Sequence, residues 1–296
     1  CYQVRGYARI RMENVDGAIE DYTQALKYDP ENTALWNNLA LCRMEKKDYE
    51  GAKEDINRLI SLAPRESNVY LMRADVAIRQ KDTLHAEQDI DKAIEVDSYN
   101  STVWTARGVL RLQQGKYKDA EEDLSKAIHL AVRNADNYIN RALARYHQNN
   151  LRGAMSDYDL ALETDPNNFI GHYNRGLLRA YVGDDNRAIE DFNYVIEQNP
   201  DDMMATFNRG LLLDKTGDLR GAIRDYSTVI AEYPNFMTGY HYRAAARRKI
   251  GDHRGAEEDE LVLLDNQLDL YNGKKQNAND TKEKTRKKSD KNMENY

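Results

Sequence analysis

Five prolines constrain this chain more than any other feature. They stand at Pro30, Pro64, Pro166, Pro200 and Pro234, and the gaps between them are 34, 102, 34 and 34 residues. Proline cannot continue a helix, so a proline recurring on one lattice marks a repeated helix end. With proline at position 32 of a 34-residue unit, the chain divides without insertion or deletion into eight repeats. They end near residues 32, 66, 100, 134, 168, 202, 236 and 270, and the first lacks its opening two positions. The 296 residues therefore read as a repeat array rather than two unrelated globular domains.

The lattice orders the small residues as well. Position 20 is alanine in all eight repeats, from Ala18 to Ala256, and position 8 is always glycine or alanine, as in Gly6, Ala40, Gly108 and Gly210. One small residue per segment lets two helices cross closely, which predicts two packed helices per repeat. Gly115, Gly183, Gly217 and Gly251 share position 15, where a left-handed residue ends a helix without steric penalty. Asp184, Asp218 and Asp252 follow as N-cap candidates for the second helix. Apolar residues at positions 24, 27 and 28, such as Phe192, Val195 and Ile196, give that helix a buried stripe at i, i+3, i+4 spacing.

On these residues the chain resembles the tetratricopeptide repeat (TPR) family. The resemblance covers residues 1–270, and position 4 adds the family's aromatic in Tyr2, Trp36, Tyr70, Trp104, Tyr138 and Tyr240. It implies an all-α fold: an α-solenoid of eight helix-turn-helix repeats forming a right-handed superhelix, its first helices lining a concave groove. The implied function is a non-enzymatic scaffold for protein–protein interaction.

The array departs from the family at position 7, where seven repeats carry arginine in place of leucine: Arg5, Arg73, Arg107, Arg141, Arg175, Arg209 and Arg243. Position 23 is aspartate in all eight, from Asp21 to Asp259. A ladder of Arg/Asp pairs is expected, because a guanidinium fork satisfies both oxygens of a partly buried carboxylate. The second repeat has Leu39 at position 7, so Asp55 must find Arg43 or water.

The resemblance places positions 2, 5, 6, 9, 12 and 13 of the first helix on the groove. Asn140, Asn174 and Asn208 occupy position 6 of three successive repeats. An amide can both donate to and accept from a peptide backbone, so such a row can grip an extended chain whatever its side chains. This is similar to the asparagine ladder lining the TPR superhelix of O-linked N-acetylglucosamine transferase. In the sixth and seventh repeats His172 and Thr206 replace the position-4 aromatic, while Tyr173 and Phe207 appear one residue later. One residue rotates a side chain about 100° around a helix, toward the concave side. With Tyr146, Leu177, Tyr181 and Leu211 these rings are expected to form an apolar floor for a protein or extended-peptide partner. Packing between neighbouring first helices and a self-association surface are the alternatives for the same residues.

Other chemistry is not indicated. Residues 1–270 hold 35 basic against 46 acidic residues, which argues against a nucleic-acid backbone as partner. No apolar run approaches the length of a transmembrane segment. No phosphate loop, nucleotide fingerprint or metal motif appears, and the six histidines fall on six different lattice positions, so no cofactor, metal or catalytic residue is expected. The Lys/Asn pattern of TPR domains that clamp chaperone C-termini is missing. Cys1 and Cys42 are too few for a disulfide framework. Cys1 admits the alternative of a lipoprotein anchor, but the helical pattern begins at once with no tether. Residues 271–296, with eight basic and four acidic residues, are expected to be a disordered or helical basic tail.

Overall fold

The computed structural model describes residues 2–271; Cys1 and the basic tail beyond residue 271 lie outside the described residues. Sixteen helices and no strands are found among the described residues, two helices to each repeat. The chain divides into two compact units, one ending at Thr164 and the other beginning at Asp165. In the first unit the leading helices of the repeats are α1 (Tyr2–Arg11), α3 (Thr33–Glu45), α5 (Ser67–Arg79), α7 (Ser101–Gln113) and α9 (Ala135–His147). Their partners are α2 (Val15–Tyr28), α4 (Tyr49–Leu62), α6 (Thr83–Val96), α8 (Tyr117–Leu130) and α10 (Leu151–Thr164). The second unit has α11 (Phe169–Tyr181), α13 (Met203–Thr216) and α15 (Met237–Lys249), paired with α12 (Asp185–Gln198), α14 (Leu219–Glu232) and α16 (His253–Tyr271).

Each helix pair closes where the lattice places its small residues. Every position-20 alanine, from Ala18 to Ala256, is fully buried. At Gly210 a Cβ would stand 2.9 Å from Tyr226 Cε1, and at Gly108 it would stand 2.7 Å from Leu124 Cγ, so position 8 makes room for the large residue at position 24. The turn between paired helices is left-handed in all eight repeats. Gly115, Gly183, Gly217 and Gly251 take it freely, whereas Glu13, Lys47, Lys81 and Asn149 hold φ of 59–62° against their Cβ. Asp218 and Asp252 cap the following helices as expected, accepting from Gly221 N and Gly255 N. Asp184 instead pairs with Arg187 and makes no capping bond, although it occupies the cap position.

The core is a series of small clusters shared by neighbouring repeats, as expected of a quasi-one-dimensional stack. Leu59, Val69, Tyr70, Ala93, Val103, Trp104 and Ala127 form one such cluster across three repeats of the first unit. Met203, Phe207, Tyr226, Val229 and Phe236 form another in the second. Leading helices also touch one another within a unit, α5 with α7, α7 with α9 and α13 with α15. The faces of these leading helices therefore adjoin.

Candidate functional site

Arginine and aspartate fix the register on which any groove depends. In seven repeats the position-7 arginine grips the position-23 aspartate of its own repeat: Arg107 Nε and Nη2 each reach an oxygen of Asp123 at 2.9 Å. Arg141 holds Asp157 at 2.9 and 2.7 Å, and Arg209 holds Asp225 at 2.8 and 2.7 Å. The position-11 arginine donates to the position-23 carboxylate in five repeats, as Arg111 does to Asp123 at 2.6 Å and Arg145 to Asp157 at 2.9 Å, and Arg9 forms an ion pair with Asp21 at 3.2 Å. The remaining nitrogen of the first arginine crosses to position 25 of the preceding repeat. Arg73 meets Asn57, Arg107 meets Asp91, Arg141 meets Ser125, Arg209 meets Asn193 and Arg243 meets Ser227, at 2.8–3.1 Å. One guanidinium thus ties three helices, and the aspartates are buried beneath it. These arginines are committed to the scaffold and are not a row of free anion receptors.

The position-4 ring has a second structural task. Trp36, Tyr70 and Trp104 each donate to the backbone carbonyl at position 32 of the preceding repeat, Pro30, Pro64 and Ser98, at 2.8–3.1 Å. His172 makes the same contact to Pro166 O at 3.0 Å and stacks on Tyr194 with centroids 4.0 Å apart. Its Nδ1 lies 3.0 Å from Asp191. His172 therefore replaces the aromatic in function, so this part of the apparent break in the lattice is structural.

The predicted groove residues separate into two groups. Phe207 is buried to 1% exposure and packs against Phe236, Tyr226 and Tyr242 with centroids 5.0–5.9 Å apart. The expectation that it lines a groove is corrected: the rotation that moves it off position 4 carries it into the core beneath the next repeat. Asn208 is also buried, and its Nδ2 donates to Tyr173 Oη at 3.3 Å. It joins two repeats rather than facing a ligand, so the row of three equivalent asparagines does not hold.

The others keep accessible surface. Asn174 and Asn140 are partly exposed, and neither side-chain amide has a hydrogen-bond partner among the described residues. In the first unit Asn140 shares α9 with Leu143 and Tyr146, each 37% exposed. In the second, α11 carries Tyr173, Asn174 and Leu177, all partly buried, and Tyr181, which is 65% exposed. Leu211 on α13 is partly buried and packs at the edge of the core around Phe207. Tyr173 packs edge-on against Phe192 at 5.7 Å, so its ring is fixed while its hydroxyl meets Asn208.

Among the described residues no cluster of His, Cys, Asp and Glu is arranged to hold a metal ion, and no helix is long and apolar enough to cross a membrane. Cys42 is buried in the first unit's core, and burial pushes its thiol up to about 11, far from a reactive thiolate.

Solved structures share the fold. The chain is similar to PilF of Pseudomonas aeruginosa, with a TM-score of 0.63 and 17% identity over 70% of this chain and 94% of that one. A tetratricopeptide repeat protein of Parabacteroides merdae aligns with a TM-score of 0.59 and 17% identity over 83% and 97% of the two chains. The Cut9–Hcn1 hetero-tetramer of the APC/C aligns with a TM-score of 0.60 and 15% identity; the match covers 72% of this chain and 42% of that one. No curated protein matches the sequence. Family models described as tetratricopeptide repeat match residues 9–76, 105–169 and 173–235. With eight helix pairs in phase on one 34-residue lattice, the chain belongs to the tetratricopeptide repeat family.

Proposed function

We propose that this chain is a non-enzymatic scaffold that holds an extended peptide of a partner protein against the exposed faces of its leading helices. Tetratricopeptide repeat arrays are in general protein–protein interaction scaffolds. The observation that carries the finer reading is one unpartnered, partly exposed amide on a leading helix of each unit, Asn140 in the first and Asn174 in the second. Each is flanked on its own helix by apolar surface, Leu143 and Tyr146 for one, Leu177 and Tyr181 for the other. A partly exposed amide beside aromatic and leucine side chains offers backbone hydrogen bonds where water is partly excluded, which is where they count most. In the second unit, buried Asn208 and Phe207 fix the neighbouring helix, Asn208 bonding to Tyr173 of α11, and Leu211 packs at the edge of that core.

The test is selection of binding peptides from a random library on the purified chain, followed by affinity measurement with variants. Asn140→Ala for a peptide held by the first unit, or Asn174→Ala for one held by the second, is expected to weaken a selected peptide at least roughly tenfold while the melting temperature stays put. Unchanged affinity would remove the backbone-gripping role of these amides.

A second reading has one specific observation behind it. On α16, Leu261, Leu264 and Leu268 are 58%, 49% and 48% exposed at i, i+3, i+7 spacing, a seam suited to a second helix. This supports self-association through the last repeat. A mass that rises with concentration in the parent chain, and stays monomeric in Leu264→Glu, would favour it over the peptide-binding monomer.

A further inference from the structure

The 34-residue lattice is also broken at the ends of the third and fourth repeats, where Ser98 and Val132 replace proline. At the first of these breaks the structure has a pocket of about 360 Å³. Its floor is the indole of Trp104, held in place by the Nε1 bond to Ser98 O at 2.8 Å. Tyr99, in the turn that has lost its proline, stands 83% exposed at one side. Lys126, His129 and Leu130 form the other side, on the last turns of α8. The pocket lies between a second helix, an inter-repeat turn and Trp104 of α7, and it shares no residue with the binding faces of α9 and α11 described above.

Two features say what it would take. The ring is already a cation receptor: the Arg107 guanidinium lies 4.9 Å and the Lys126 ammonium 4.2 Å from the Trp104 centroid. Arg107 is also bound to Asp91 and Asp123 and is spent within the scaffold. Lys126 has no carboxylate partner among the described residues, and the ring alone holds its charge beside the pocket mouth. A cation at the edge of an apolar pocket complements a ligand that is flat and apolar at one end and anionic beside it. The volume is at the lower end of the range for small-ligand sites, room for one aromatic side chain and not for a folded surface. We infer that this pocket is a second partner site, which receives an aromatic side chain of a partner polypeptide whose neighbouring carboxylate pairs with Lys126.

The chain has only two tryptophans, Trp36 and Trp104, so Trp36→Phe leaves Trp104 as the sole indole reporter. The probe is acetyl-Glu-Phe-Asp-amide, titrated into the full chain carrying that substitution while Trp104 emission is followed. A saturable change is expected, and it should weaken at least roughly tenfold for acetyl-Glu-Ala-Asp-amide, for acetyl-Lys-Phe-Lys-amide and for the parent probe on Lys126→Glu. Lys126 is exposed, so circular dichroism should find the variant folded. Leu130→Glu, with the opposite charge and no apolar wall, should lose binding equally. Equal affinity for all three peptides, no saturable change, or an unaffected Lys126→Glu would each overturn the site. Acetyl-phenylalanine binding more tightly than the peptide would assign the pocket to a free aromatic carboxylate and overturn the polypeptide partner.

Discussion

Asp55 accepts a bond from Arg43 Nη1 at 2.7 Å through one carboxylate oxygen and buries the other without a partner. It is the position-23 aspartate of the repeat where Leu39 stands in place of the first arginine. Burial, opposed by Arg43, pushes its carboxyl up to about 6 from an ordinary 3.8. A folded-state value raised above the unfolded one means that the native state binds the proton more tightly. The group's contribution is favourable below about pH 4 and is lost as the pH rises through about 6. Asp55→Asn should therefore raise stability at pH 7.5, by an amount on the order of 1–3 kcal/mol, and have little effect at pH 4. Urea melts of the two proteins at both pH values check this. A variant equally destabilised at both would show that the lone bond to Arg43 outweighs the desolvated charge.

The opposite sign is expected at a fully gripped carboxylate. Asp191 accepts from Arg175 Nη2 at 2.7 Å and from Arg179 Nη1 at 2.7 Å. Arg175→Ala removes one side of a buried network and should cost about 3–5 kcal/mol. The affinity of a selected peptide for the folded fraction should stay within about twofold, a difference under 0.5 kcal/mol. Normal melting with lost binding would make this arginine a ligand contact instead.

At the turns, Lys47 and Lys81 hold φ of 62° where four other repeats place glycine. A Cβ in the left-handed region costs about 1–2 kcal/mol, and glycine gives back part of that gain as unfolded-state freedom. Lys81→Gly should stabilise the chain by about 0.5–1 kcal/mol, and Gly217→Ala, at φ 96°, should destabilise it by at least as much. Denaturant midpoints at an unchanged m-value measure both.

What was legible in the sequence is what the lattice repeats. Helix pairs, close crossings at positions 8 and 20, and the pairing of arginine with aspartate sixteen residues on all involve partners within one repeat, so eight copies vote on the first two and seven on the last. The third hydrogen bond of arginine, to position 25 of the preceding repeat, was open to the same logic but has variable partners: Asn57, Asp91, Ser125, Asn193 and Ser227. Phe207 departs from the sequence expectation because its neighbours Phe236 and Tyr242 belong to the following turn and repeat. A rotation of about 100° tells which way a side chain leaves its helix but not whether another element already covers that direction. The Trp104 pocket had a signal, the proline missing at Ser98, whose meaning depends on the exposed Tyr99 beside it.

The division of the groove residues into support and surface can itself be measured. Phe207 is enclosed by three rings, so Phe207→Ala leaves a cavity and should cost about 3–5 kcal/mol. Loss of binding in that variant would follow unfolding and carry no information on contact. Tyr181 is 65% exposed at the end of α11, so Tyr181→Ala should change stability by less than about 0.5 kcal/mol. If its ring is an anchor for the partner, affinity for a selected peptide should fall by about 1–2 kcal/mol, roughly a factor of five to thirty. Calorimetric titration beside thermal melts separates the two quantities. Tyr181→Ala that melts early, or binds as the parent does, would take the aromatic end of α11 out of the binding surface and leave Leu177 and Asn174 without the anchor beside them.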